Sequence, residues 1–134
     1  MWWLACLLLA PNPSQSGAEP WLGCYTAGPE TIAFRWNDDL GFVYHHGNIE
    51  IPVDGEWHVT VPEFYVRHRI TWLTDTNALR LEESHDESKP WRHELRLDGE
   101  RLVKISLTGG ADGGEVVVRS YEKVEEGTPC TEER

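Results

Sequence analysis

Basic side chains are scarce in this 134-residue chain: 12 Lys and Arg stand against 23 Asp and Glu, a formal net charge of −11. That balance argues against nucleic acid or an anionic membrane surface as the main partner, since both need a basic face. Long hydrophobic runs are missing as well. The longest, Trp2 through Ala10, is nine residues, where a membrane-spanning helix needs roughly 20. No stretch from Trp21 to Val124 keeps apolar residues at i, i+3, i+4 and i+7 over three turns, which excludes an amphipathic helical bundle. There is no G-x-S-x-G, P-loop, H-E-x-x-H, C-x-x-C or Asn-x-Ser/Thr sequon. Ser84-His85-Asp86 has the letters of a catalytic triad, but adjacent residues on one loop cannot take up its geometry. No internal repeat, low-complexity segment or second domain is visible.

Residues 1–18 carry no charged side chain. Their short apolar run is ended by Pro11 and Pro13 and followed by Ser16-Gly17-Ala18, which fits a signal peptide with a small-x-small cleavage site. The n-region lacks Lys and Arg, so a misassigned start and an uncleaved apolar anchor are the alternatives. Neither Cys6 nor Cys24 is well placed for a lipoprotein. The expected organisation is a signal peptide over 1–18 and one domain over 19–134, with a flexible tail from about 125. Export and cleavage would discard Cys6 and leave Cys24 and Cys130, which most often pair in an oxidising compartment. In a closed barrel the first and last strands are neighbours, so this disulfide would staple the closure. Two unpaired thiols are the alternative.

What the sequence has in abundance is alternation. Ile32, Phe34 and Trp36 alternate with Ala33 and Arg35; Phe42 and Tyr44 follow, then Ile49, Ile51 and Val53. Trp57, Val59 and Val61 form another such set, as do Phe64, Val66, His68, Ile70 and Trp72. Further along come Leu79 and Leu81, then Trp91, His93, Leu95 and Leu97, then Val103, Ile105 and Leu107, then 115–124. Asp54-Gly55 and Asp98-Gly99 are two-residue hairpin signals, because a type I′ turn needs positive φ at its centre. Short strands joined by short turns predict an all-β, antiparallel meander barrel of about 8–10 strands, with a β-sandwich as the alternative. Closure is favoured because it removes exposed edges.

Trp21-Leu22-Gly23-Cys24-Tyr25 stands at the first strand, and Arg119-Ser120-Tyr121-Glu122-Lys123-Val124 closes the last. Together these ends resemble the calycin group, the lipocalins and intracellular fatty-acid-binding proteins. The latter end in a similar Arg-x-Tyr-Glu-Lys-Val run. Tyr25 replaces the family's Trp, and no helix-turn-helix lid or long lipocalin helix is visible. The resemblance implies an inward Arg119 and Tyr121 holding a ligand carboxylate. Period-2 alternation puts both on one face, where a guanidinium and a phenol make a sound anion clamp. Against this, Val116 and Val118 make the opposite face of that strand the more apolar one, which favours an outward, structural Arg119.

Trp36, Trp57, Trp72 and Trp91 fall on apolar faces, where they either fill the core or wall a ligand pocket. His46, His68 and His93 are in phase with apolar faces, so a metal or haem site is a conceivable alternative to satisfied core histidines. His45 and His58 are expected in solvent. Glu82-Glu83 and Glu125-Glu126 read as solvated surface. The leading expectation is an exported binding protein for an apolar or amphipathic small molecule, with no cofactor and no nucleic-acid partner. A haem- or metal-using enzyme with an interior His and a non-catalytic interaction domain with a filled core are the alternatives.

Overall fold

The computed structural model describes residues 14–73, 78–85, 90–107, 116–125 and 130. A short helix, Gln15–Ala18 (α1), and a 3-10 turn, Glu19–Trp21, lead into ten strands. These are β1 (Gly23–Ala27), β2 (Glu30–Asn37), β3 (Gly41–His46), β4 (Ile49–Pro52), β5 (His58–Val61), β6 (Val66–Leu73), β7 (Ala78–His85), β8 (Trp91–Asp98), β9 (Arg101–Ser106) and β10 (Val116–Lys123). They form one antiparallel sheet in the order β4-β3-β2-β1-β10-β9-β8-β7-β6-β5. Consecutive strands pair throughout except β4 and β5, and β1 pairs with β10, so the sheet curls into a nearly closed meander barrel.

The turns follow local chemistry, with one correction. Gly28 at φ 62° and Gly47 at φ 62° supply the left-handed residue for the tight β1–β2 and β3–β4 turns. Asp98 pairs with Arg101, so the β8–β9 hairpin turns on Gly99 and Glu100. Asp54-Gly55, expected as a hairpin, makes none. Strands β4 and β5 are the two ends of the sheet order. The Gly55 amide donates instead to the Ile70 carbonyl across the gap, at 2.9 Å. Asp54 is used locally, accepting from the Glu56 amide at 2.9 Å and holding His58 at 3.0 Å. His58 is therefore half-buried rather than free in solvent.

A disulfide joins Cys24 on β1 to Cys130, with Cα atoms 5.9 Å apart. It sits beside the β1–β10 pairing. The open seam lies on the other side of the sheet order, between β4 and β5, so the bridge secures a junction that is already hydrogen-bonded.

The core fills the barrel from one end. Trp21, fully buried, packs edge to face on Phe34 (5.4 Å between centroids), Phe42 (6.4 Å) and Trp72 (6.1 Å). Phe34 stacks on Phe42 at 5.4 Å. Tyr25, Ile32, Ile51, Ile70, Leu79, Leu95 and Leu102 are buried around them. Ala18 is buried in the same cluster, so the segment just before the first strand belongs to the core. Its ties are a Ser14 cap on Gly17 (3.1 Å) and the Tyr25 hydroxyl, which donates to the Trp21 carbonyl at 2.9 Å.

The outer face is a ladder of ion pairs. Glu82, expected in solvent, is 5% exposed, because Arg69 (2.9 Å) and Arg92 (3.4 Å) from the flanking strands close over it. Glu94 is covered by Arg96 of its own strand at 2.7 Å and by Arg80 of β7 at 3.9 Å. Glu83 points the other way, into the barrel mouth, because successive strand residues face opposite sides.

Candidate functional site: the polar mouth of the barrel

Inward-facing residues change character along the barrel axis. Strand β2 reads Glu30, Ile32, Phe34, Trp36; β3 reads Phe42, Tyr44, His46; β6 reads His68, Ile70, Trp72. Strand β7 reads Leu79, Leu81, Glu83, and β8 reads His93, Leu95, Leu97. Because neighbours run antiparallel, the polar members of all five strands collect at one end and the aromatic ones at the other.

Two constellations occupy the polar end. The first is built on Glu30, placed at the start of β2 by the Gly28-Pro29 turn. Its Oε1 accepts from Arg119 Nη1 at 3.1 Å, its Oε2 accepts from the Tyr121 hydroxyl at 2.8 Å, and His46 Nε2 lies 3.2 Å from Oε2. Arg119 and Tyr121 therefore do share a face. A register shift between Val117 and Arg119 resets the alternation of β10, and Val118 is 49% exposed, so its apolar character does not mark the inner side. Tyr121 is fully buried while Arg119 stands exposed at the rim. Burial raises the Tyr121 phenol well above its ordinary value, and the hydrogen bond to Glu30 raises it further.

The second is a cavity of about 100 Å³ lined by Tyr44, His46, Ile49, Ile51, His68, Leu81, Glu83, His93 and Lys104. His46, His68 and His93, from three different strands, thus meet at one place. His68 is held on both sides. The Thr60 hydroxyl lies 2.7 Å from Nδ1, and Glu83 Oε1 lies 3.1 Å from Nε2. Thr60 is the extra residue of the β5–β6 register shift between Val59 and Val61, which places its hydroxyl at the imidazole. The other Glu83 oxygen is bonded to His85 Nε2.

Burial lowers the His68 imidazole below its ordinary value, against the opposing pull of Glu83. His93 is lowered by burial and by the Lys104 charge. Burial alone would raise the Glu83 carboxyl; the hydrogen bonds and charges of His85 and His68 outweigh it and hold the group below the ordinary carboxylate range. Tyr44 is raised far above its usual range by burial, with Tyr121, Glu30 and Glu83 adding to the shift. At neutral pH the mouth presents two neutral imidazoles, His68 and His93, and two protonated phenols, Tyr44 and Tyr121.

The four tryptophans expected at a ligand wall are dispersed. Trp36 and Trp72 pack against the core at the far end. Trp57 lies on the outer surface, with the guanidiniums of Arg69 (4.6 Å) and Arg67 (5.1 Å) over its ring. Trp91 stands at the rim, 61% exposed. Glu30, Tyr44, Glu83 and Lys104 were not singled out from the sequence. The signal that finds them is the reversal of polarity along alternate strands. Among the described residues no three His, Cys, Asp or Glu are placed to hold a metal ion. A groove of about 630 Å³ beside the β1–β10 junction, lined by Leu22, Gly23, Glu100, Lys123, Val124 and Glu125, contains none of the histidines. No protein-family profile, curated protein or solved structure matches this chain.

Proposed function

We propose that the protein is an exported, calycin-like barrel that binds a small amphipathic carboxylate at its polar mouth. One observation carries this reading: Arg119 and Tyr121 already grip a carboxylate, that of Glu30, with one oxygen on each donor. A ligand carboxylate can take the same two donors once Glu30 swings aside. Its apolar part would lie over the rim, where Trp91 is exposed, because the interior toward the other end is packed with aromatic rings. The intramolecular disulfide supports an oxidising compartment and therefore export, with the signal in the apolar N-terminal run and cleavage upstream of the buried Ala18.

Octanoate titrated into the purified protein by calorimetry tests the clamp. Arg119→Ala should weaken binding at least about tenfold, as expected for a hydrogen bond to a charged group. Glu30→Gln should strengthen it, since the competing internal carboxylate is gone. If Arg119→Ala instead lowers stability and leaves octanoate binding unchanged, Arg119 is a structural plug.

A second reading draws support from the stacked Trp21, Phe34, Phe42 and Trp72: a non-catalytic interaction domain with a filled core. Native mass spectrometry distinguishes them, because a carrier retains a ligand mass and a filled domain does not.

A further inference from the structure

We infer that the cavity behind the Glu30 clamp is a separate receptor for a short-chain carboxylate, its head on Lys104, His93 and Tyr44 and its alkyl end on Ile49, Ile51 and Leu81. The inference goes beyond the reading above, since it requires neither displacement of Glu30 nor an amphipathic ligand.

Three observations meet at this place. Lys104, His93 and Tyr44 line the cavity, and among the described residues none of their side chains has a hydrogen-bond or ion-pair partner. Every other polar group in the wall is engaged: His46 with Glu30, and His68 and Glu83 with each other. An ammonium, a phenol and an imidazole N–H lining one cavity supply the donors a carboxylate needs, one of them charged. Glu83, the carboxylate in the wall, has each oxygen on an imidazole, so its lone pairs are directed toward His68 and His85.

The rest of the wall is aliphatic. A site made only for water would gain nothing from Ile49, Ile51 and Leu81, whereas a methyl or ethyl group would be shielded there. The volume of about 100 Å³ accommodates about three water molecules, or one carboxylate with a short alkyl group. Longer chains exceed that volume.

Acetate is the probe, followed by the ring-proton shift of His93 in NMR at constant ionic strength. The shift should saturate at millimolar acetate. Lys104→Met should weaken acetate at least about tenfold and Tyr44→Phe a few-fold. Glu50→Gln, an exposed position on β4, should change nothing. Propionate should compete with acetate, and octanoate should not. A shift that rises linearly without saturation, or saturation unchanged in Lys104→Met, overturns the inference. So does loss of acetate binding in Arg119→Ala with Lys104 intact, which would assign the anion to the clamp. If Lys104→Met does not fold, Tyr44→Phe and the propionate competition decide. Octanoate binding that depends on Arg119 is a separate result, so either proposal can fail alone.

Discussion

At one end of the barrel Trp21, Phe34, Phe42 and Trp72 pack ring against ring; at the other, His46, His68, Glu83, His93 and Lys104 line a cavity. Both ends are built from the same ten strands and the same inward-facing positions. The difference is in what burial does. At the plugged end it removes apolar area from water and stabilises the fold. At the mouth it desolvates titratable groups, a cost offset for Glu30, His46, His68 and Glu83 by pairing them with each other. Stability and chemistry are thus separated along the barrel axis.

Removing Trp21 is the largest expected blow. Trp21→Ala should lower unfolding free energy by about 3–5 kcal/mol, measured by urea denaturation, because it empties the centre of the plug. A loss below about 1 kcal/mol would mean that the plug contributes little and would break the comparison. Reducing the Cys24–Cys130 bridge, or replacing both residues with Ser, should cost about 2–5 kcal/mol, since the bridge closes a long loop.

The mouth should respond to pH instead. His68 and His93 have folded values below the ordinary 6.5, so the unfolded chain takes their protons first. Their contribution to stability is complete above about pH 6.5 and is lost as pH falls toward the folded values. Glu83, also lowered, contributes above its ordinary 4.5 and loses that contribution as pH falls through its folded value. Both effects have one sign, so the melting temperature should fall progressively from about pH 7 to about pH 4. A His68→Gln, His93→Gln double variant should flatten the upper part of that fall; an unchanged slope would assign the acid sensitivity elsewhere. The smallest effect is expected at the rim: Trp91→Ala should change stability by no more than about 0.5 kcal/mol. In the same variant, octanoate affinity should drop if the apolar part of the ligand lies there.

Much of this architecture was legible from alternation alone. The meander, the β1–β10 adjacency and the Cys24–Cys130 bridge were expected from strand spacing and from pairing the two cysteines that lie outside the apolar run. The site was less so. Period-2 counting identifies a face but not a height along the axis, and so it placed Trp36 and Trp91 in one wall, although one packs at the core and the other stands in solvent. A one-residue register shift moved Arg119 and Thr60 into positions that strict alternation does not give. Asp54-Gly55 carries hairpin chemistry, yet the chain uses it at the seam between β4 and β5, where Asp54 is engaged with His58. Glu83 reads as surface next to Glu82 because charge in a sequence says nothing of which side a strand presents.

The bridge between Cys24 and Cys130 also decides how the molecule carries a mechanical load. It encloses all of β2 through β10 in a covalent ring, while α1 and Trp21 lie outside it. A pull on the two termini travels through the residues before Cys24, across the sulfur atoms and out beyond Cys130. The barrel wall is bypassed. What the force meets first is the Trp21 segment, so the plug should detach before the sheet enclosed by the bridge is loaded.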